Sequence, residues 1–459
     1  MAVEVSDVQK LRGKRVAFIT SGYSGKRFIY EKAKQLEVIS TIIDSPQSWS
    51  KSLVEEGIID SFIGVDFGRG AEKVVSDILN YIRAASLQLD GVCTFAELSL
   101  PVAAKLAESL NLPGNSPEVV SLTRDKHKVR KIVAGAGLNE IKSFHVKSVS
   151  DLDAAAEYVG FPAVLKPISG ADSLGVTRVD NKEELSVAQK QVQDIVAGLV
   201  VTSGALSRTR TPTSIDTLDE SAHRFIKLDL SLEEYLDGPE VDVDLVMHAG
   251  DCFFAAVVDN GPTKEPYFAE TWNLCPSILT ESKQVELIDE AIATIKALGF
   301  HSGVFHVEEK YTSRGPRIIE VNARMGGGPI RLQHKYVYGV DLVVEQLLSC
   351  VGLAPSVRTS IPAAPLEPNR CYASSTPNAP RSGTIKSSGF LDSIRNRPDL
   401  LALWDYIECG AQVIGPADGH PSWICEIALV GKNGSEALLK ELMSVVDDLI
   451  SDVDSNYYC

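Results

Sequence analysis

The hydrophobic and polar positions divide the chain into stretches of different period. Arg15 to Thr20 is a short apolar run ending in Ser21-Gly22-Tyr23-Ser24-Gly25, and a helix-like stretch follows from Phe28 to Leu36. Val38 to Asp44, Ser61 to Val65 and Asp90 to Thr94 share that short apolar character, and a helical pattern returns from Ala103 to Leu110. Strands alternating with helices predict a parallel, helix-covered sheet. From Arg124 the pattern changes. Lys126 to Ala136 predicts a basic helix stopped by Gly135-Ala136-Gly137, and Val164-Leu165-Lys166-Pro167 a short strand with a lysine in it. Gly170 to Val176 is a small-residue loop, and Val176 to Val179 returns as a strand. Residues 200 to 222 are dominated by Ser, Thr, Arg and Pro, a composition that predicts a mobile surface loop or lid. Phe225 to Leu236, Val241 to Met247 and Cys252 to Val258 predict strands of an antiparallel sheet, and Glu286 to Leu298 a helix. Gly303 to Glu309 and Arg317 to Val321 predict paired central strands. After Gly352 a Pro-rich connector leads into a short α+β tail.

Composition narrows the class. At 459 residues the length gives a prior of about three domains. Apolar residues at 44% and charged residues at 23% are the balance of an ordinary globular protein, which excludes disorder as the main content. The net charge of −16 argues against wrapping nucleic acid or an anionic membrane. No apolar run approaches the ~20 residues of a membrane span, and Met1 to Lys10 lacks a signal pattern. A cytoplasmic protein is expected. The eight cysteines are scattered without Cys-x-x-Cys, and the histidines show no His-Glu-x-x-His, so zinc and dithiol chemistry are not indicated.

Three clusters carry chemistry. Gly22 to Lys26 is not one of them: only two residues separate Gly22 from Gly25-Lys26, and a phosphate-binding Walker loop needs four. The first cluster is Lys166 followed by Gly170-x-x-Ser173-x-Gly175-Val176, a strand lysine beside a loop whose N–H groups can close over a polyphosphate. The second is Leu232 to Glu240, a strand end that offers backbone groups to a purine and a later carboxylate to a ribose. The third is His306-Val307-Glu308 beside Ile318-Ile319-Glu320-Val321-Asn322-Ala323-Arg324, leading into Gly326-Gly327-Gly328. Period-two alternation puts Glu320, Asn322 and Arg324 on one face, opposite Ile319, Val321 and Ala323, which are expected in the core. Two carboxylates and an amide oxygen form a hard site suited to Mg²⁺.

The order of these features resembles the ATP-grasp superfamily of carboxylate–amine ligases. "FHVE" followed by "EVNARMGGG" is similar to the branch of L-amino-acid ligases (dipeptide synthases) and carnosine synthase. The resemblance implies an α/β and α+β multidomain protein with the ATP-grasp fold. Its parts would be an N-terminal biotin-carboxylase-type parallel domain (1–119), a small lid (120–237), a large antiparallel domain (238–355) and a C-terminal α+β subdomain (356–459). It implies ATP and two Mg²⁺ (or Mn²⁺) ions as cofactors, amino-acid-like substrates, no nucleic-acid or membrane partner, and a homodimer. Lys126, with Lys128 as the alternative, and Lys166 would meet phosphates, and Gly170, Ser173, Gly175 and Val176 would form the phosphate loop. Glu233 and Leu236 would meet adenine, mainly through backbone, and Glu240 the ribose. Glu308, Glu320 and Asn322 would bind metal. Arg324, His306 and Lys166 would act on the transferring phosphoryl group. Glu97, Glu270, Trp272 and Gly327 would line the substrate pocket. Relatives often carry a histidine three residues after a glutamate here, whereas this chain has Asn273 after Glu270.

The activity implied is ATP-dependent activation of a carboxylate as acyl-phosphate and its coupling to an amine, giving a dipeptide-like amide, ADP and phosphate. Two other readings stay open: a biosynthetic ligase for a non-peptide acid or nucleotide precursor, and an ATP-binding regulatory protein without turnover.

Overall fold

The computed structural model describes residues 6–168, 175–197, 199–202, 205–208, 229–265, 267–328, 330–357, 368–387, 389–418, 421–432 and 434–458. Gly170, Ser173 and most of the 200–222 stretch lie outside the described residues. Among the described residues no helix is long and apolar enough to cross a membrane.

Strands β1 (Arg15–Ile19), β2 (Ile39–Asp44), β3 (Ser61–Gly64) and β4 (Gly91–Cys93) form a parallel sheet in the order β3-β2-β1-β4. Strand β1 is an apolar run because both faces are covered. Phe18 and Ile42 face a core that includes Leu342 and Leu347, while Ala17, Ile19 and Ile43 face the helix Ala71–Ala84.

A second, antiparallel sheet has the order β5-β10-β6-β7: β5 (Ser143–Val146), β6 (Ala163–Pro167), β7 (Thr177–Val179) and β10 (Leu230–Glu234). Leu165, Leu230 and Leu232 point into a core with Ala155, Val159, Leu185 and Val192 of two covering helices. The pleat therefore turns Lys166, Ser231 and Glu233 to the other face, with Ser231 paired to Lys166. The expected lid loop begins differently: β8 (Leu199–Thr202) and β9 (Ala205–Arg208) pair as a hairpin.

The largest sheet has eight strands in the order β15-β14-β11-β12-β13-β16-β20-β18. These are β11 (Glu240–His248), β12 (Asp251–Asn260), β13 (Trp272–Cys275), β14 (Gly303–Thr312), β15 (Gly315–Asn322), β16 (Cys371–Ser375), β18 (Leu400–Asp405) and β20 (Cys425–Gly431). Val241, Val243, Leu245, Phe305 and Val307 pack on the helix Glu281–Leu298. That helix starts five residues before the sequence suggests and ends at Gly299, whose left-handed backbone closes it. The strands after residue 370 continue this same sheet beyond β13, and the helix Ser435–Asn456 covers them. A short pair, β17 (Gly383–Thr384) and β19 (Gln412–Val413), lies apart.

One facing expectation is corrected. Glu308 pairs with Glu320 and Glu309 with Ile318, so Ile319 is the extra residue of a β-bulge. Ile318, not Ile319, fills the core with Val321, and Ile319 faces the cavity described next.

Candidate active site

The second sheet, the eight-stranded sheet and the N-terminal sheet enclose a cavity of about 670 Å³. Its walls include Glu97, Lys126, Lys166, Val176, Glu233, Leu236, Glu240, Glu270, Trp272, His306, Glu308, Glu320, Asn322, Arg324 and Gly327. Gly175 stands just before Val176 with φ of +78°, and an added Cβ would press on Val192 and Pro167, so the chain leaves the loop through a residue only glycine fits well.

The cations cluster on one wall. Lys166 Nζ lies 2.7 Å from Glu233, and Arg130 lies 3.0 Å from the same carboxylate oxygen. All three side chains are buried. Burial pushes the Glu233 pKa up, but the two cations overcome it and hold the group at about 2. Lys166 is lowered, chiefly by burial and further by Arg130 and Lys126, with Glu233 opposing. Backbone pairing to β5 and β6 occupies the main chain at Glu233, so Glu233 enters the site through its carboxylate. Leu236 lines the cavity, and its carbonyl accepts from Lys310 at 3.4 Å. Glu240 lies 3.9 Å from Lys310 and is pushed up to about 7 by burial.

Lys126 comes from the helix Lys126–Gly135, which Asp125 caps by accepting from the Lys128 N–H. Its ammonium lies 2.8 Å from Glu320. Lys128 instead points to Asp125 and is half exposed. Glu320 and Glu308 are neighbours across β14 and β15. Burial, and then the charge of Glu320, push Glu308 up to about 8. Glu320 suffers the same burial, but Lys126, Lys166 and Arg124 hold it below its ordinary value. Asn322 donates to Glu308 at 3.4 Å. Among the described residues no three His, Cys, Asp or Glu side chains form a ready metal cluster. Two carboxylates and one amide oxygen suit a hard cation whose shell is completed by water and phosphate. By this donor set these residues fit Mg²⁺ or Mn²⁺.

Arg324 is tied to the N-terminal unit: its Nε lies 2.7 Å from Glu97, which also meets Arg124 at 3.0 Å. His306 Nδ1 is 2.9 Å from Asp244, whose other oxygen is 2.6 Å from His334 Nε2. Burial lowers the His306 pKa, but Asp242 and Asp244 outweigh it and raise the group to about 10. Gly326 is required here by close approach, since a Cβ would stand 2.8 Å from His306 Nδ1. Asp242 accepts from Asn260, which in turn accepts from Asn273, beside Trp272 and Glu270 on the wall. Gly22, Tyr23 and Lys26 also reach the wall, although their spacing fits no Walker loop.

Two family models match the chain: "ATP-grasp N-terminal domain" over residues 30–114 and "ATP-grasp domain" over residues 159–331. The chain belongs to the ATP-grasp superfamily. Carnosine synthase 1 of Gallus gallus is 30% identical over 82% of this chain, and that of Homo sapiens 29% over 76%. The chain spans only about two fifths of those proteins, 39% and 41% respectively. Alanine–anticapsin ligase of Bacillus subtilis is 28% identical over 74% of this chain and 70% of its own. An L-amino acid ligase from Bacillus licheniformis superposes with a TM-score of 0.76 at 22% identity, over 95% of this chain and 98% of that one, which shows the shared ATP-grasp fold.

Several wall residues escape the motif search. Arg130 sits one turn after Lys126 on the same helix face, a spacing visible in the sequence. Asp242 and Asp244 follow Glu240 with strand alternation and are also visible in hindsight. Arg124, His334, Asn260, Tyr406, Trp423 and Glu426 carry no local signal, because tertiary contacts alone bring them to this network and wall.

Proposed function

We propose that this ATP-grasp chain is an ADP-forming carbon–nitrogen ligase that joins the carboxylate of one amino acid to the amine of another. One observation carries the reading: Lys166, Arg130 and Lys126, the Glu308/Glu320/Asn322 face and Arg324 converge on one cavity. The similarity to carnosine synthase and alanine–anticapsin ligase supports amino acids as substrates.

On this reading Lys166, Lys126 and the residues up to Val176 hold the inner phosphates of ATP. Leu236 offers its backbone to adenine, and Glu240 holds the ribose. Glu308, Glu320 and Asn322 hold two Mg²⁺ ions, which when bound neutralise phosphate charge. Arg324 turns toward the terminal phosphate, where its charge meets that of the transferring group. An oxygen of the substrate carboxylate bonds to the γ-phosphorus as the bond to the β-phosphate oxygen breaks, giving ADP and an acyl-phosphate. The neutral amine nitrogen then bonds to the acyl carbon, phosphate departs with the bonding pair, and the nitrogen's proton passes to that phosphate. The protein supplies no covalent nucleophile; alignment and exclusion of water are its contribution. His306, pinned by Asp244, stands beside the carboxylate pair as a fixed positive charge. Glu270, Trp272, Glu97 and Gly327 line the space left for the amino acids. The intact metal-binding face argues against a regulatory ATP-binding protein, which has no need of it.

The test is ADP release from ATP and Mg²⁺ across pairs of amino acids. Hydroxylamine, offered with a single amino acid, should trap the acyl-phosphate as a hydroxamate. No ADP release with any pair, alongside tight ATP binding, would leave the regulatory reading in its place.

A further inference from the structure

The cavity extends past the phosphate end to a wall built by the last strands of the eight-stranded sheet. Thr376, Tyr406, Trp423 and Glu426 line it there, with Tyr23 and Trp272. Pairing brings these residues together: Trp272 lies opposite Ser375 on β16, and Ser375 lies opposite Ile427 on β20. Asn378 and Trp423 form an isolated bridge, and the Asn378 amide donates to the carbonyl of Glu270.

Glu426 is out of place in its strand. Cys425, Ile427 and Leu429 alternate into the core under the helix Ser435–Asn456. Ala428, on the same face as Glu426, packs with Val258, Cys275, Val337 and Tyr372. An apolar residue would complete that face, yet a carboxylate stands there at 4% exposure. Its Oε2 accepts from the Tyr406 hydroxyl at 2.5 Å. Its Oε1 is buried and has no hydrogen-bond partner among the described residues, and neither has the buried Trp423 Nε1. Burial pushes the Glu426 pKa up, and the Tyr406 bond opposes this only in part; among the described residues no cationic side chain offsets it.

A buried carboxylate oxygen without a partner carries a desolvation cost that a ligand cation removes. Aromatic side chains on the same wall favour the same charge. We propose that Glu426, with Tyr406 and Trp423, forms a subsite for the cationic side-chain head of one amino-acid substrate, a primary ammonium or a guanidinium. The proposal rests on the ligase reading and adds the class of side chain to it. The α-ammonium is common to all amino acids, so a subsite for it would not discriminate among them; a side-chain cation does.

The test compares lysine with norleucine, and arginine with citrulline, as substrates of the full chain with ATP, Mg²⁺ and alanine as the second amino acid. The wild type should favour each cationic member in kcat/KM. Glu426→Gln, which keeps the size of the side chain, should lower the lysine-to-norleucine ratio by about 10- to 100-fold, mostly through KM, the loss of one charge-assisted contact. Tyr406→Phe, at a partly exposed residue, should lower it in the same direction by less and guards against a folding defect in the first variant. A ratio unchanged in both variants, or a wild type that favours norleucine, would overturn the subsite while ADP release continues. An equal loss for lysine and norleucine in Glu426→Gln would also overturn it, making Glu426 an anchor for the α-ammonium. Absence of ADP release with every pair would instead overturn the ligase reading itself.

Discussion

Replacing Glu233 by glutamine removes one negative charge and almost no volume from a buried ion cluster of the site. Glu233 lies between Lys166 at 2.7 Å and Arg130 at 3.0 Å, with both cations shielded from water. A fall in its pKa from 4.5 to about 2 corresponds to about 3 kcal/mol of favourable interaction in the folded protein. Breaking a buried pair from one side costs about 3–5 kcal/mol by mutational precedent, so the two routes agree. The sign follows from the lowered pKa: this stability is present above about 4.5 and is lost as pH falls toward about 2. At pH 7 the variant should therefore lose about 3 kcal/mol in the second sheet. Hydrogen exchange reads this locally. Amides of β6 and β10 should exchange roughly 100-fold faster in Glu233→Gln. The helix Ser435–Asn456, which belongs to a separate core, should be unchanged. A non-hydrolysable ATP analogue returns negative charge to Lys166 and Arg130, so it should restore protection more in the variant than in the wild type. Exchange at β6 and β10 within about threefold of wild type would refute the claim that charge pairing holds this sheet face together.

Other outcomes follow from the same geometry. Glu320→Gln should lower turnover by at least about 100-fold at saturating Mg²⁺ while far-UV circular dichroism stays unchanged, because a shared carboxylate is lost from the metal-fitting face; near-normal turnover would sink that assignment. Gly326→Ala should lower kcat with little change in ATP affinity, since its Cβ displaces His306 from Asp244; unchanged kcat would show that His306 is not needed where it stands. Glu345, buried and bonded to the Ser356 hydroxyl and N–H, is pushed up to about 7 by burial, so its neutral form stabilises the fold and that contribution is lost as pH rises from about 4.5 to 7. Glu345→Gln should thus be more stable than wild type by up to about 3 kcal/mol at pH 8, with the gap closing toward pH 4.5; a gap independent of pH in urea unfolding would contradict this.

Much of the site was legible because strand alternation is a local rule. Glu308, Glu320, Asn322 and Arg324 could be assigned to one surface from period two alone, and Lys166 from its place in a four-residue apolar strand. The facing of Ile319 was not legible: a β-bulge inserts one residue without changing composition, and only the pairing of Glu309 with Ile318 reveals it. Glu233 was expected at the nucleotide through its backbone; that its carboxylate would join Lys166 and Arg130 was not legible, since these partners lie 67 and 103 residues away in sequence. Glu426 was hidden for the same reason. A single carboxylate in an apolar strand carries no signal until the fold shows what faces it. The continuation of the large sheet into the C-terminal strands was equally silent, because antiparallel pairing across a long connector leaves no periodic trace.

The central claim is that a substrate carboxylate is phosphorylated by the terminal phosphate of ATP before the amine attacks. Isotope transfer tests it most directly. An amino acid carrying ¹⁸O in both carboxylate oxygens, coupled in the presence of ATP and Mg²⁺, should deliver one ¹⁸O to inorganic phosphate for each amide formed, with ADP as the other nucleotide product. Recovery of that ¹⁸O in AMP, with pyrophosphate released, would contradict the account and place the chemistry at the α-phosphorus.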